Sequence, residues 1–252
     1  GSGKSTTIYG MLQILNSESV NIVSLEDPVE YYIEGVNQSQ IRPELGYTFA
    51  NGLRQILRQD PNIIVVGEIR DSETAGLATQ AALTGHLVLS TLHTNDAVGV
   101  IPRLINMGVE PYLIPSALNV ALAQRLVKRL CPDCKKEIEA PEAIKKIILS
   151  TIDSMPEKSR LKIKREEIKI YKAEGCSKCG HKGTKGRIAV FELLEMTPSL
   201  EEITIAGPTE SKIMAEAQRQ EMITMFQDGI RKVLEGIIGF NELVQVVSVA
   251  EE

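Results

Sequence analysis

A continuous run of β-branched residues, Ile63–Val66 within "NIIVVGEIRD", limits the possible folds of this chain more than any other feature of its sequence. A strand that is apolar on both faces needs cover on both sides, as in a parallel sheet between helices. Apolar periodicity predicts the surrounding elements, namely helices at about 4–15, 49–59, 72–83 and 96–107 and further strands at 20–25 and 86–93. This alternation predicts an α/β fold with a mostly parallel sheet and flanking helices.

The sequence begins with "GSGKST", the second half of a G-x-x-x-x-G-K-[ST] phosphate-binding loop. Glycines allow the backbone to approach phosphate oxygens, while Lys4 would contact the β- and γ-phosphates and the Ser5 hydroxyl would ligate Mg²⁺. The alternative is a flexible start to a helix. We expect ATP and Mg²⁺ to bind at Gly1, Ser2, Gly3, Lys4, Ser5 and Thr6. Because the first glycine of the loop and the preceding strand are absent, we expect the chain to be a fragment of a longer protein.

Acidic residues follow two of the predicted strands. Glu26, Asp27 and Glu30 lie in "EDPVEYY", and Glu68 ends "NIIVVGE". Ligands bind at the carboxyl ends of the strands in parallel sheets, so these carboxylates can face a metal ion and an attacking water. A helix cap or a turn before proline would explain Asp27 alone but not all three acids of "EDPVEYY".

Two arginines and two histidines are further candidates. Arg54 and Arg58 are four residues apart in a predicted helix, hence on one face, where they could neutralise charge on a transferred phosphoryl group. Their spacing alone favours an ordinary solvated face. His86 and His93 flank a predicted strand. A lone histidine is usually a structural residue, but His93 leaves the strand at the same edge as the acids and could sense a γ-phosphate.

The four cysteines form two C-x2-C pairs, Cys131 with Cys134 and Cys176 with Cys179. Each pair presents two sulfurs from one tight turn, which suits a tetrahedral Zn²⁺ site. Four thiolates leave no open coordination position, so the pattern predicts structural rather than catalytic zinc. The separation of the pairs exceeds the usual ribbon spacing, and it predicts an inserted helical excursion within residues 135–175.

Charge and hydropathy limit the partners. The net charge is −5, with 28 basic against 33 acidic residues, so no global positive field favours nucleic acid. No apolar run approaches the ~20 residues that cross a bilayer, and no secretion signal opens the chain, which favours the cytosol. The alternative from a different class is a zinc-ribbon nucleic-acid-binding module. Such a module needs a basic face that also carries aromatic residues. Basic residues occur around the second cysteine pair, but no aromatic residue lies among them. They are Lys178, His181, Lys182, Lys185 and Arg187.

Several motifs occur in one order: "GSGKST", "SLEDPVEY", "TFANGLRQILRQDPN", "VVGEIRDSETA", "TGHLVLSTLHTNDA", "AQRLVKRLCPDCK" and "GCSKCGHKGTKGR". Over nearly the whole chain they resemble the type II secretion and type IV pilus assembly ATPases. The resemblance implies three segments. These are a RecA-like P-loop ATPase core at 1–125, a tetracysteine zinc-binding segment with an insertion at 126–190, and a helical C-terminal subdomain at 191–252.

The resemblance also implies individual roles. Glu30 matches the family's catalytic base, Glu68 its Walker B acid acting on Mg²⁺, and His93 its histidine beside the γ-phosphate. Arg54 and Arg58 match its phosphate-directed arginines. The tetracysteine motif resembles that of assembly and secretion ATPases and is lacking in pilus retraction ATPases.

As a whole, the resemblance implies a homo-hexameric ATPase at the cytoplasmic face of the inner membrane, attached peripherally through a platform membrane protein. We favour type IV pilus assembly, with type II protein secretion and DNA uptake as alternatives that share this motor. A structural ring component without turnover is a further alternative. The family's N-terminal domains are missing here, which leaves open whether the fragment hydrolyses ATP alone.

Overall fold

The computed structural model describes residues 1–160 and 168–247. Its contacts divide the chain into two compact units. The sheet unit comprises residues 4–121 and 195–216, and the cysteine unit comprises residues 1–3, 122–160, 168–194 and 217–247 of the described chain. The three-segment division with boundaries after residues 125 and 190 stays a prediction.

The sheet unit contains a four-stranded parallel sheet in the order β2-β1-β3-β4. Its strands are β1 (Ile22–Glu26), β2 (Val36–Gln40), β3 (Ile63–Val66) and β4 (Leu87–Ser90). Every residue of β1 and β3 is buried, as the apolar run at β3 predicted. The sheet confirms the predicted α/β class. Strand β2 was not predicted, because its sequence "VNQSQ" carries no apolar pattern.

The sheet unit also contains several helices. They are α1 (Lys4–Leu15), α2 (Phe49–Ile56), α3 (Ser72–Leu83), α4 (Val100–Asn106), α5 (Ile114–Ala117) and, later in the chain, α8 (Pro198–Ile205) and α9 (Glu210–Arg219), of which α9 continues into the cysteine unit. The bounds of α1 and α3 are those that the sequence predicted. Helix α4 begins later than expected, because the Asp96 carboxylate accepts the Gly99 N–H at 2.8 Å and holds a turn there.

Local signals explain where two of these helices begin. Thr48 precedes α2, and its hydroxyl accepts the Asn51 N–H. Asp71 precedes α3, and its carboxylate accepts the Thr74 N–H at 2.8 Å. Such caps satisfy backbone donors that have no partner within the helix, and each contributes about 1 kcal/mol.

The cysteine unit is built on two small sheets. Strand β5 (Val120–Leu130) pairs with β8 (Thr184–Glu195), and β6 (Lys135–Glu139) pairs antiparallel with β7 (Lys169–Ala173). Between β6 and β7 the described residues include α6 (Glu142–Ser154) and α7 (Glu157–Arg160), which confirms the predicted helical excursion. Helices α10 (Met225–Leu234) and α11 (Phe240–Val244) follow later. No helix of the described residues has both the length and the apolar character needed to cross a bilayer.

Candidate functional site

The carboxyl ends of β1, β3 and β4 lie at one edge of the parallel sheet, and side-chain hydrogen bonds hold two of these ends together. The Ser90 hydroxyl donates to the Val66 carbonyl at 2.7 Å, and the Thr91 hydroxyl donates to the Gly67 carbonyl at 2.7 Å. The Ile69 N–H donates to the Thr91 carbonyl at 3.0 Å. The segment after β3 is thereby held against the segment after β4.

Glu68 is the centre of a charged cluster at this edge. One carboxylate oxygen lies 3.0 Å from His93 Nε2, and the other is paired with the Arg70 guanidinium. Arg70 also lies 3.8 Å from the Asp27 carboxylate. The structure thus brings together three residues from the loops after β1 and β3 with the histidine that follows β4.

The environment of Glu68 favours its ionised form. Its side chain is 12% exposed, and this burial raises its pKa. Hydrogen bonds from Arg70 and His93 outweigh the burial and hold the pKa below its usual value. An ionised carboxylate at a sheet edge can bind a divalent cation directly or through water. The His93 side chain is 68% exposed, so its ring is accessible to a ligand.

Arg70 was missed in the sequence analysis. Its signal was available, because it stands two residues after an acid that ends a fully apolar strand. A partly buried carboxylate requires a hydrogen-bonding or charged partner, and the nearest cation along the chain is the first candidate for it.

The Glu26 side chain does not face the site at which the sequence pattern placed it. It is 5% exposed, and its carboxylate accepts hydrogen bonds from the Tyr9 hydroxyl, the Ser24 hydroxyl at 2.7 Å and the Gln38 amide at 3.0 Å. The expectation that all three acids of "EDPVEYY" face a metal ion is therefore wrong for Glu26. Its carboxylate is directed into the protein and accepts three hydrogen bonds there.

Glu30 lies four residues beyond the end of β1, and its side chain is exposed. Its backbone N–H donates to the Tyr9 hydroxyl at 3.3 Å, so the loop that carries Glu30 contacts α1. The structure gives the Glu30 side chain access to solvent at the carboxyl end of β1.

The predicted phosphate-binding residues surround the start of α1, whose first two residues are Lys4 and Ser5. Unpaired N–H groups at a helix N-terminus attract anions. Gly3 precedes the helix with φ of +90°, a conformation that favours glycine. Within the cysteine unit, the Ser2 carbonyl accepts a hydrogen bond from the Gln124 amide at 2.8 Å. Thr6 follows on α1 and is exposed, as is Gly1 at the beginning of the chain.

Only one of the two arginines lies within a helix. Arg54 lies on α2 and is paired with Glu73 at the start of α3. Arg58 is exposed and lies in the turn after Ile56, where α2 ends, and its N–H donates to the Gln55 carbonyl at 3.2 Å. The helix is shorter than its sequence pattern, and a common face of the two arginines stays a prediction.

His86 is a structural residue. Its Nδ1 atom lies 2.9 Å from the Ala81 carbonyl and 3.1 Å from the Thr84 hydroxyl. These contacts satisfy polar groups at the end of α3, where carbonyls lack helical partners.

The four cysteine sulfurs form one cluster in the cysteine unit, all within 4.8 Å of one another. Neighbouring sulfurs are separated by 3.9 Å (Cys131 and Cys176), 3.8 Å (Cys176 and Cys179) and 4.0 Å (Cys134 and Cys179). Four zinc ligands at about 2.3 Å in a tetrahedron would be roughly 3.8 Å apart. A disulfide requires about 2.05 Å, so the sulfurs are free thiols with the spacing of a metal site.

Backbone groups favour negative charge on one of these thiols. The Cys179 sulfur accepts the N–H groups of Cys176 at 3.2 Å and Gly183 at 3.3 Å. The hydrogen bond from Cys176 is the main cause that lowers the pKa of Cys179 to about 6. Burial is the main cause that raises the pKa of Cys134 to about 12. One negative charge in this cluster disfavours a second on a neighbouring thiol unless a cation compensates it.

A family model described as "Type II/IV secretion system protein" matches residues 1–245. The chain belongs to this family. Its relatives include the type II secretion system ATPase E of Vibrio cholerae, which is 48% identical over 98% of this chain. Another is the type IV pilus assembly ATPase PilB of Thermus thermophilus, 46% identical over 97% of this chain. The chain spans 46% and 26% of the length of these two relatives, hence less than half of each.

Two solved structures have a similar fold. The pilus retraction motor PilT with bound ADP matches with a TM-score of 0.67 at 27% identity, over 97% of this chain and 58% of that chain. The ATPase DotB of Legionella pneumophila matches with a TM-score of 0.66 at 23% identity, over 97% and 57% of the two chains. These matches agree with the α/β fold of this type II/IV secretion family member.

Gly67 brings the end of β3 against β1, which leads to a stability prediction. A Cβ atom there would lie 3.0 Å from the Leu25 carbonyl oxygen and 3.3 Å from the Glu26 Cα. Backbone cannot move aside cheaply, so Gly67→Ala is expected to destabilise the protein by about 1–3 kcal/mol.

Gly76→Ala in α3 is the matched control, because nothing lies within 4 Å of its added Cβ. This control should be neutral or stabilising by up to about 1 kcal/mol. Thermal unfolding midpoints measure both variants. A midpoint for Gly67→Ala at or above that of the wild type would contradict the proposed close approach.

Proposed function

We propose that this chain is part of a motor ATPase that hydrolyses ATP to drive type IV pilus assembly. The observation that carries the proposal is the pairing of Glu68 with His93 at the carboxyl edge of the parallel sheet. The same unit contains the start of α1, with Lys4 and Ser5. A carboxylate that is kept ionised, an accessible histidine and a helix N-terminus suit a magnesium-bound triphosphate.

The proposed roles follow from chemistry and position. Lys4 would contact the β- and γ-phosphates, and the Ser5 hydroxyl would be a ligand of Mg²⁺. The backbone of Gly1 to Thr6 would donate to phosphate oxygens. Glu68 would help to hold Mg²⁺, and its contact with His93 orients a ring that could sense the γ-phosphate. Glu30 would accept a proton from the attacking water, a role supported by its exposed side chain and its place after β1.

Arg54 and Arg58 are proposed to neutralise phosphate charge in the assembled motor. Arg54 is paired with Glu73, but both side chains are about half exposed, at 47% and 57%. Exposed ion pairs contribute little to stability, so exchanging this partner for a phosphate would cost little. Arg58 is exposed and available to a ligand or to another subunit.

The four-cysteine cluster is proposed to hold structural Zn²⁺. Its sulfur spacing and the N–H groups donated to Cys179 support this assignment. The bound metal would supply the charge that allows four thiolates to share one site, and it would fasten β5 and β6 to the segment after β7. We assign it no part in ATP hydrolysis.

Assembly and location are proposed from family membership. We infer a homo-hexamer in the cytoplasm, attached at the inner face of the cytoplasmic membrane through a platform protein. The relatives include both a type II secretion ATPase and pilus assembly ATPases, so their names support either machine. We favour pilus assembly. Deleting the gene should remove surface pili, whereas the loss of secreted enzymes with intact pili would favour secretion instead.

A substitution at Lys4 tests ATP use by the full-length protein. Lys4→Ala should lower phosphate release at least about 10²-fold, because it removes a positive charge directed at the phosphates. Lys146→Ala on the exposed surface of α6 is the matched control, and it should leave phosphate release and nucleotide affinity unchanged. Phosphate release and nucleotide affinity are measured together. An unchanged Lys4→Ala, or a wild type that does not hydrolyse ATP when assembled with its membrane partner, would refute the proposal.

A further inference from the structure

A buried polar cluster lies beneath the loop that carries Glu30. Tyr9 comes from α1 and is 1% exposed, Glu26 ends β1 and is 5% exposed, and Gln38 lies on β2. The Tyr9 hydroxyl and the Gln38 amide both donate to the Glu26 carboxylate, and the Gln38 amide also lies 3.4 Å from the Tyr9 oxygen. Three elements of the sheet unit therefore meet in one hydrogen-bonded group.

Hydrogen bonds from this cluster hold the backbone of the Glu30 loop at residues 30, 31 and 33. The Glu30 N–H donates to the Tyr9 oxygen at 3.3 Å. The Gln38 amide donates to the Tyr31 carbonyl at 3.2 Å, and its oxygen accepts the Ile33 N–H at 2.6 Å. The Tyr31 ring also packs edge-on against the Tyr9 ring, with centroids 4.6 Å apart and planes at 81°.

We propose that Tyr9 is a positioning residue that sets the place of Glu30 relative to the phosphate-binding start of α1. Tyr9 stands five residues after Lys4 on the same helix, so the helix fixes the distance between the backbones of the two residues. Through the Glu30 N–H, the helix that carries the phosphate-binding residues also fixes the loop that carries the base.

The direction of the hydroxyl is determined by its surroundings. The Tyr9 hydroxyl donates its proton to a Glu26 carboxylate oxygen, so its lone pairs remain for the Glu30 N–H. Burial and the hydrogen bond to Glu26 raise the pKa of Tyr9 to about 12, which keeps this proton in place near neutral pH. The buried carboxylate acts as an anchor that orients the tyrosine rather than as a metal ligand.

The inference rests on the proposed function, and the full-length protein tests it with Tyr9→Phe. Removing the hydroxyl leaves the ring packed on Tyr31 but releases the Glu30 N–H. We expect kcat to fall about tenfold while KM for ATP changes less than twofold, because the phosphate-binding residues are untouched. Tyr47→Phe is the matched control. It removes a hydroxyl bonded to Ser39 at 2.8 Å in the same unit and should leave both constants unchanged.

Combining Tyr9→Phe with Glu30→Gln distinguishes a positioning role of Tyr9 from a general loss of stability. Adding Tyr9→Phe to Glu30→Gln should lower kcat less than twofold further, because a residue that acts through Glu30 has nothing left to position. The inference is overturned if Tyr9→Phe has wild-type kcat, or if it lowers kcat equally in both backgrounds. If Glu30→Gln has a low kcat but Tyr9→Phe has the wild-type kcat, only this inference is refuted. If Glu30→Gln itself has the wild-type kcat, the proposed role of Glu30 as the base is refuted as well.

Discussion

Glu30→Gln in the full-length protein is expected to release phosphate about 10²–10⁴ times more slowly than the wild type, with unchanged affinity for ATP. Glutamine keeps the size and the exposed position of the side chain but cannot accept a proton from water. The contacts that hold the loop come from the backbone at residues 30, 31 and 33, so the substitution leaves them intact. Phosphate release and binding of a fluorescent ATP analogue measure the two quantities separately.

Glu34→Gln provides the matched control for this experiment. Glu34 is exposed in the same loop, and its backbone carbonyl accepts a hydrogen bond from Asn16 at 2.7 Å, which the substitution preserves. It should hydrolyse ATP at the wild-type rate. Wild-type turnover by Glu30→Gln would remove Glu30 from the role of base. Loss of ATP affinity in Glu30→Gln would instead indicate a part in binding.

Loss of the metal is expected to unfold the cysteine unit. Cys176→Ser removes one of four clustered thiols, and serine is a poor zinc ligand beside three cysteines. Structural zinc in small domains contributes about 10–16 kcal/mol of apparent binding free energy, which also stabilises the fold. We expect the wild type to carry about one zinc ion per chain, and we expect Cys176→Ser or chelator treatment to abolish binding and lower the unfolding midpoint strongly.

Ser177→Ala controls for the substitution within the same turn, because Ser177 is exposed between two of the cysteines and offers no thiol. It should retain full zinc occupancy and a wild-type midpoint. Elemental analysis and thermal unfolding of the same samples test the assignment. A purified wild type without zinc that unfolds at the same temperature before and after chelation would contradict a structural metal site.

Local patterns predicted much of the sheet unit. The bounds of α1, β3 and α3 follow from residues within each element, because apolar periodicity and caps are properties of neighbouring residues. The proximity of Glu68 and His93 was also predictable, because the carboxyl ends of parallel strands share one edge. The clustering of the cysteines followed from the two tight-turn pairs.

Other features depend on contacts between distant residues, which no local pattern reports. Strand β2 is polar and forms because β1 offers a free edge, with Ile22 opposite Val36. Glu26 is buried because Tyr9, Ser24 and Gln38 supply donors, and these come from three separate elements. Strands β5 and β8 are separated by more than 50 residues of sequence, so their pairing has no signature in either strand alone.

A structure of the full-length protein with Mg²⁺ and a slowly hydrolysed ATP analogue tests the proposed nucleotide site. We expect Lys4 on the β- and γ-phosphates and Mg²⁺ bound by the Ser5 hydroxyl, with Glu68 contacting the ion directly or through water. The Glu30 carboxylate should then lie within about 3.2 Å of the attacking water. A bound nucleotide that Glu30 and Glu68 cannot reach even through water would refute the proposed roles of both carboxylates.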